Sequence, residues 1–171
     1  MSVMGVCYEW FDNEKKNGLL HLKTFIQIEN RLKAVYWKTG RKKRVLAFNL
    51  NIPIVKNNID ICLFNADTNT YDKGDIVNCS DKILMLGELK GGIDLAGADE
   101  HWKTGNTALN RIRTAFKKDG REISTSFVAA AIEKKMASEI FGQLQKGILS
   151  FAANLTIDEQ LVNYCNWIIK F

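Results

Sequence analysis

Proline is nearly absent, with one residue in a chain of 171. Histidine is almost as scarce at two, and the four cysteines (Cys7, Cys62, Cys79 and Cys165) lie far apart with no C-x-x-C pair. This spacing speaks against a zinc site and a disulfide framework, and reads as the reduced thiols of a cytoplasmic protein. No apolar run approaches the length of a membrane span, and the first residues lack the basic-then-apolar pattern of a secretory signal. There is no repeat, no low-complexity tract and no linker, so one domain is expected over 1–171. With 46% hydrophobic and 25% charged residues the composition is that of a folded globular chain.

The net charge of +5 permits a polyanionic partner without requiring one. Four of the cations cluster in "TGRKKR", Thr39 to Arg44, between two strand-like runs, "LKAVYWK" and "RVLAFNLNI". Such a cluster is either a solvated hairpin tip or a loop that rests on phosphates.

Hydrophobic spacing gives a coarse order of elements. Leu19 to Ala34 mixes helical and strand spacing and is read as a helix. Two strands flank the basic turn, "NIDICLFN" (Asn58 to Asn65) is a third, and Ala66 to Asp75 is a polar turn region. "KILMLGELK" (Lys82 to Lys90) is apolar on both faces up to Gly87, as in a buried strand. Leu109, Ile112 and Phe116 place one apolar stripe on a helix from about Ala98 to Phe116, with Arg111, Arg113, Lys117 and Lys118 on or near its polar side. "ISTSFVAAAI" follows as a strand. Then comes a helix carrying Met136, Ile140 and Leu144, with Gly147 as its stop. Thr156 and Glu159 are spaced as a capping box for a last helix with Leu161, Val162, Cys165, Ile168 and Ile169 inward. The expected fold is mixed α/β, a central mixed sheet flanked by helices.

The chemistry concentrates at "GELKGG". Alternation along a strand points Glu88 and Lys90 the same way and sends Leu89 to the core. Asp60 lies in the strand-like segment before it, between Ile59 and Ile61. If the two strands are neighbours, Asp60, Glu88 and Lys90 converge at one edge of the sheet. Two carboxylates suit a hard divalent cation such as Mg²⁺, and the backbone carbonyl of Leu89 can add a ligand. Lys90 would then orient a water and offset the charge of a pentacovalent phosphorus. Taken alone, Glu-x-Lys is equally an exposed ion pair.

A longer stretch is more specific. "GELKGGIDLAGADEHWKT" (Gly87 to Thr104), with "IDICLFN" (Ile59 to Asn65) before it, resembles the catalytic region of the AvaI/BsoBI family of type II restriction endonucleases, within the PD-(D/E)XK nuclease superfamily. The resemblance covers most of the chain from about Arg31 and is tightest from Asp60 to Phe116. It implies a restriction-endonuclease-like fold in which Asp60 and Glu88 hold metal and Lys90 is the active-site lysine. It further implies that His101 lies near the attacking water and Asp94 near the bases. Ile59 stands where the superfamily pattern has proline. Family members need Mg²⁺, cleave double-stranded DNA at C-Y-C-G-R-G and act as homodimers around the duplex, in the bacterial cytoplasm.

Local chemistry is compatible with each role and also offers a plainer one. His101 can serve as a general base or as a surface histidine bonded to Asp99 or Glu100. Asp94 can accept from a cytosine amino group or cap the following helix. Lys103, Arg111 and Arg113 can touch phosphates or simply face solvent. The family's chains are longer, with a helical region before the catalytic domain, whereas Asp60 here has only 59 residues before it. The chain is therefore expected to be the catalytic portion alone. Three readings stay open: a site-specific Mg²⁺-dependent endonuclease, a less specific nuclease, and an inactive remnant that dimerises or binds DNA weakly.

Overall fold

A computed structural model describes residues 33–72, 74–94 and 97–171. Its centre is a six-stranded sheet in which spatial order follows chain order: β1 (Ala34–Thr39), β2 (Lys42–Ile52), β3 (Asn57–Phe64), β4 (Ile83–Lys90), β5 (Ser124–Ala129) and β6 (Phe151–Asn154). The first four strands pair antiparallel and the last two join in parallel, so the sheet is mixed as expected. A change to parallel pairing needs crossovers. These are α2 (Ala98–Lys118), between β4 and β5, and α3 (Lys134–Gln145), between β5 and β6. A single-turn helix α1 (Thr68–Asp72) falls in the polar turn after β3, and α4 (Asp158–Ile169) follows β6.

Side-chain alternation divides the core into two layers. On the face covered by α2 and α3, Val45, Ala47, Cys62, Phe64 and Leu86 pack with Trp102, Leu109, Ile112, Phe116, Met136 and Ile140. The opposite face carries Leu46, Ile61, Leu63, Met85 and Val128 against Tyr164 and Ile168 of α4. The stripe Leu109, Ile112 and Phe116 is fully buried, as its spacing predicts. Gly105 brings α2 close to the sheet, since a Cβ there would lie 2.5 Å from Phe127 Cε2. The Trp102 and Phe127 rings meet edge to face at 5.0 Å.

The basic run forms the hairpin tip expected of it, exposed from Lys38 to Lys43. Its loop is the two-residue turn Gly40–Arg41, with Gly40 at φ 59. The next three cations bind the protein itself. Lys42 Nζ donates to Phe171 O at 2.8 Å, and Lys43 Nζ pairs with Asp67 Oδ2 at 2.9 Å. Arg44 is buried and donates to Asn65 Oδ1 at 2.6 Å, to Lys43 O at 2.8 Å and to Phe171 O. This clasp ties the residues after α4 to the hairpin.

Other expectations need correction. Thr156 does not cap α4: its amide and hydroxyl both donate to Asn154 Oδ1, at 2.9 and 2.7 Å, and the helix starts at Asp158 with Ile157 as N-cap. That start turns Tyr164 inward with Leu161, Cys165 and Ile168, leaving Val162 exposed and Ile169 half-buried. β6 was not expected at all. The helix read over Leu19 to Ala34 lies outside the described residues except at its end, where Ala34 opens β1.

Candidate active site

β3 and β4 are antiparallel neighbours, with Ile61 opposite Gly87. Carried one residue on, that register sets Asp60 against Glu88. Both belong to the α2 side of the sheet by alternation with Cys62 and Leu86, and Lys90 follows on the same side. The convergence expected from the sequence is therefore formed. Lys90 Nζ lies 3.0 Å from Glu88 Oε2 and 3.6 Å from Asp60 Oδ2. Asp60 Oδ2 also accepts from the amide of Leu89 at 2.8 Å, which fixes the carboxylate against the strand bearing the other two residues.

Glu88 is the unusual member. It is 5% exposed, and burial pushes its carboxyl above the ordinary range. Lys90 pulls it back down, while the Asp60 charge raises it again. A buried carboxylate beside a second one and a single ammonium is short of positive charge. The two acids already share one cation, and their oxygens are the hard donors that suit Mg²⁺ or a similar ion. Among the described residues no group of three or more His, Cys, Asp or Glu is placed to hold a metal. An ion here would complete its shell from main chain, water or substrate.

The glycines after β4 shape what comes next. A Cβ on Gly92 would lie 2.7 Å from His101 Nε2, so the imidazole rests where only glycine leaves room. A Cβ on Gly97 would be 3.7 Å from the same nitrogen and 4.0 Å from Asp94 Oδ2. Gly92, Asp94, Gly97 and His101 thus share one corner, beginning two residues past Lys90. The N-cap of α2 is Gly97, which has no side chain of its own to cap the helix. Asp99 and Glu100 both reach Lys103, at 2.7 and 3.0 Å.

The predicted cations part company. Lys103 and Arg111 lie on a cleft of about 400 Å³ whose wall includes Glu88. Arg113 turns inward, half-buried, and donates to Thr125 Oγ1, Ile148 O and Asn110 Oδ1. The opposite wall supplies residues that sequence reasoning missed, Asn57 and Asn58 at the start of β3. Alternation could have found Asn58, which is two residues before Asp60.

An aspartate on one strand and Glu-x-Lys on its neighbour, on a mixed sheet flanked by helices, define the restriction-endonuclease-like class. The comparisons narrow this further. The family model described as restriction endonuclease BsobI matches residues 1–171, and the chain belongs to that family. It is 45% identical over 99% of its length to the type II restriction enzyme BsoBI of Geobacillus stearothermophilus. It is 46% identical, again over 99%, to the type II restriction enzymes AvaI of Nostoc sp. and of Anabaena variabilis. In each case it covers 54% of the relative, so the chain spans about half the length of the curated relatives it matches.

Proposed function

We propose that the protein is a type II site-specific deoxyribonuclease that hydrolyses phosphodiester bonds in double-stranded DNA with Mg²⁺. The observation carrying this reading is the pair of carboxylates, Asp60 and Glu88, gathered from adjacent strands around the Lys90 ammonium. Asp60, Glu88 and the Leu89 carbonyl would hold the metal, which when bound offsets phosphate charge and makes a water more acidic. Lys90 supplies a cation for the charge that builds on the non-bridging oxygens during attack. His101 takes the proton of the attacking water. The new bond joins that oxygen to phosphorus, the bond from phosphorus to a deoxyribose oxygen breaks, and the released oxygen takes up a proton.

Specificity for C-Y-C-G-R-G is proposed from family membership, with Asp94 facing the bases and Lys103 and Arg111 positioning the backbone. Arg113 is bonded to its own fold in this structure, and a DNA contact would require it to exchange those partners. The symmetry of that site matches a homodimer. A cytoplasmic location is proposed from family membership; no helix among the described residues is long and apolar enough to cross a membrane.

The test is cleavage of plasmid DNA by the purified chain with Mg²⁺, beside Lys90→Ala. Discrete fragments that vanish in the variant are expected. A smear that vanishes would mean chemistry without site recognition, and no cutting with Mg²⁺ or Mn²⁺ would leave only a DNA-binding or dimerising remnant.

A further inference from the structure

The cleft beside Glu88 does not end with the two acids. Arg111 lines it and also lines an adjoining cleft of about 580 Å³, between the second half of α2 and the β2–β3 turn. The polar lining of this second cleft is Lys56, Asn110, Arg111, Thr114, Lys118 and Asp119. The three cations are exposed, and none makes an ion pair among the described residues. Lys43, Lys82, Lys90 and Lys103, by contrast, each pair with a carboxylate. The one acid, Asp119, accepts from Ser80 Oγ at 2.9 Å.

Lys56 adds an independent sign. Its φ of 57 lies in the left-handed region, which disfavours a lysine. Two turn bonds hold it there, from its amide to Ile52 O at 2.9 Å and to Pro53 O at 3.1 Å. Asn49, the other described non-glycine residue at positive φ, is of a type that tolerates it. Among the described residues the Lys56 side chain makes no ion pair that would support the turn, whereas a charge on the cleft wall has a use, and strain of this kind gathers at functional sites. Lys117 and Lys118 also suit the negative end of the α2 dipole. That accounts for cations on the last turn of α2 but not for Lys56, which reaches the same cleft from another element.

We propose that this second cleft binds the phosphate backbone of duplex DNA flanking the cut, through Lys56, Arg111 and Lys118, with Asn110 and Thr114 as neutral donors. The inference rests on the nuclease reading. Arg111 and Lys118 are separated by roughly 10 Å along α2, or about three base-pair steps. A strand following the helix from the two acids therefore meets successive cations.

The test is equilibrium binding of the whole chain to a labelled duplex, with Ca²⁺ in place of Mg²⁺, across a salt series. Lys56→Asn with Lys118→Gln should reduce the slope of log K against log salt by about 2, and weaken binding at 0.1 M salt on the order of fifty-fold. The loss should be equal on duplexes with and without C-Y-C-G-R-G, because phosphates carry no sequence. Lys82→Gln with Lys134→Gln removes the same charge elsewhere and should change neither value. Lys56→Asn alone should melt no lower than the unmodified chain, since asparagine accepts the backbone conformation, while reducing the slope by about 1. An unchanged slope in a chain that still binds duplex would overturn the cleft and leave the nuclease reading standing. An equal loss in the control pair would reduce the effect to net charge. Failure of the unmodified chain to bind any duplex would overturn both readings together.

Discussion

Lys90 and Glu88, two residues apart on β4, are joined by a 3.0 Å bond between Nζ and Oε2. The lysine is the partner of the buried acid and, on the proposed reading, the cation that meets the phosphate charge. Lys90→Ala should therefore lower single-turnover cleavage by about 10²- to 10³-fold, the usual effect of removing one electrostatic stabiliser. Duplex binding with Ca²⁺ should stay within a few-fold. A loss of binding equal to the loss of rate would make Lys90 a binding residue instead.

Gly92 should tolerate no side chain while His101 keeps its place. In Gly92→Ala the new methyl would meet Nε2 at 2.7 Å, and the imidazole must move. A displacement of about 1 Å of a reacting group can cost roughly 10² in rate. Cleavage should fall by that order with little change in melting temperature, because Gly92 is exposed. The imidazole NMR signals of His101 should shift. Unmoved signals with full activity would refute the placement.

Gly105→Ala tests how α2 is seated. Its methyl would overlap Phe127 at 2.5 Å, beside the Trp102 ring. Overpacking of this kind costs about 1–3 kcal/mol. A urea midpoint equal to that of the unmodified chain would contradict the packing.

Arg44→Ala should damage the fold and spare the DNA contacts. It removes three bonds from a buried guanidinium, to Asn65, Lys43 and Phe171. A loss of about 2 kcal/mol is expected for charge-assisted bonds of this kind. The salt dependence of duplex binding should stay the same. A reduced slope would return the basic hairpin to the phosphate-binding surface.

Asp67 supplies a pH-dependent check. Bonds from Thr70 and Lys43 hold its carboxyl well below the ordinary range. The stability it adds is thus fully present above the ordinary carboxylate pKa and is lost as pH falls through the depressed folded value. Asp67→Ala should melt below the unmodified chain at neutral pH, and the two melting curves should converge in acid. A gap that persists at the lowest pH would assign the effect to something other than the ionised carboxylate.

Much of the site was legible because its parts are close in sequence and governed by alternation. Asp60, Glu88 and Lys90 needed only one adjacency, β3 beside β4, to come together. Leu109, Ile112 and Phe116 fixed the buried face of α2 through their spacing alone. What escaped depended on partners far along the chain. β6 is four residues, Phe151–Asn154, and becomes a strand only by parallel pairing with β5 after a helical crossover. Tyr164 is turned inward where its hydroxyl meets Ser126 Oγ at 2.8 Å, a polar bond invisible to a hydrophobic pattern. Arg113 looked like one more surface cation until Thr125 and the Ile148 carbonyl were beside it.

Strand order that repeats chain order has a kinetic meaning. Each strand pairs with the next one to be made, so every ladder closes a single loop. β3 and β4 are joined by 18 intervening residues, between Phe64 and Ile83, and that one closure brings all three charged residues together. The two like charges meet as soon as the ladder zips, and the lysine that offsets them arrives on the same strand as Glu88. Assembly of the charged cluster is thus a local event, and hydrogen exchange during refolding should protect the amide of Leu89, which is bonded to Asp60, together with the β3–β4 ladder rather than after α4 docks.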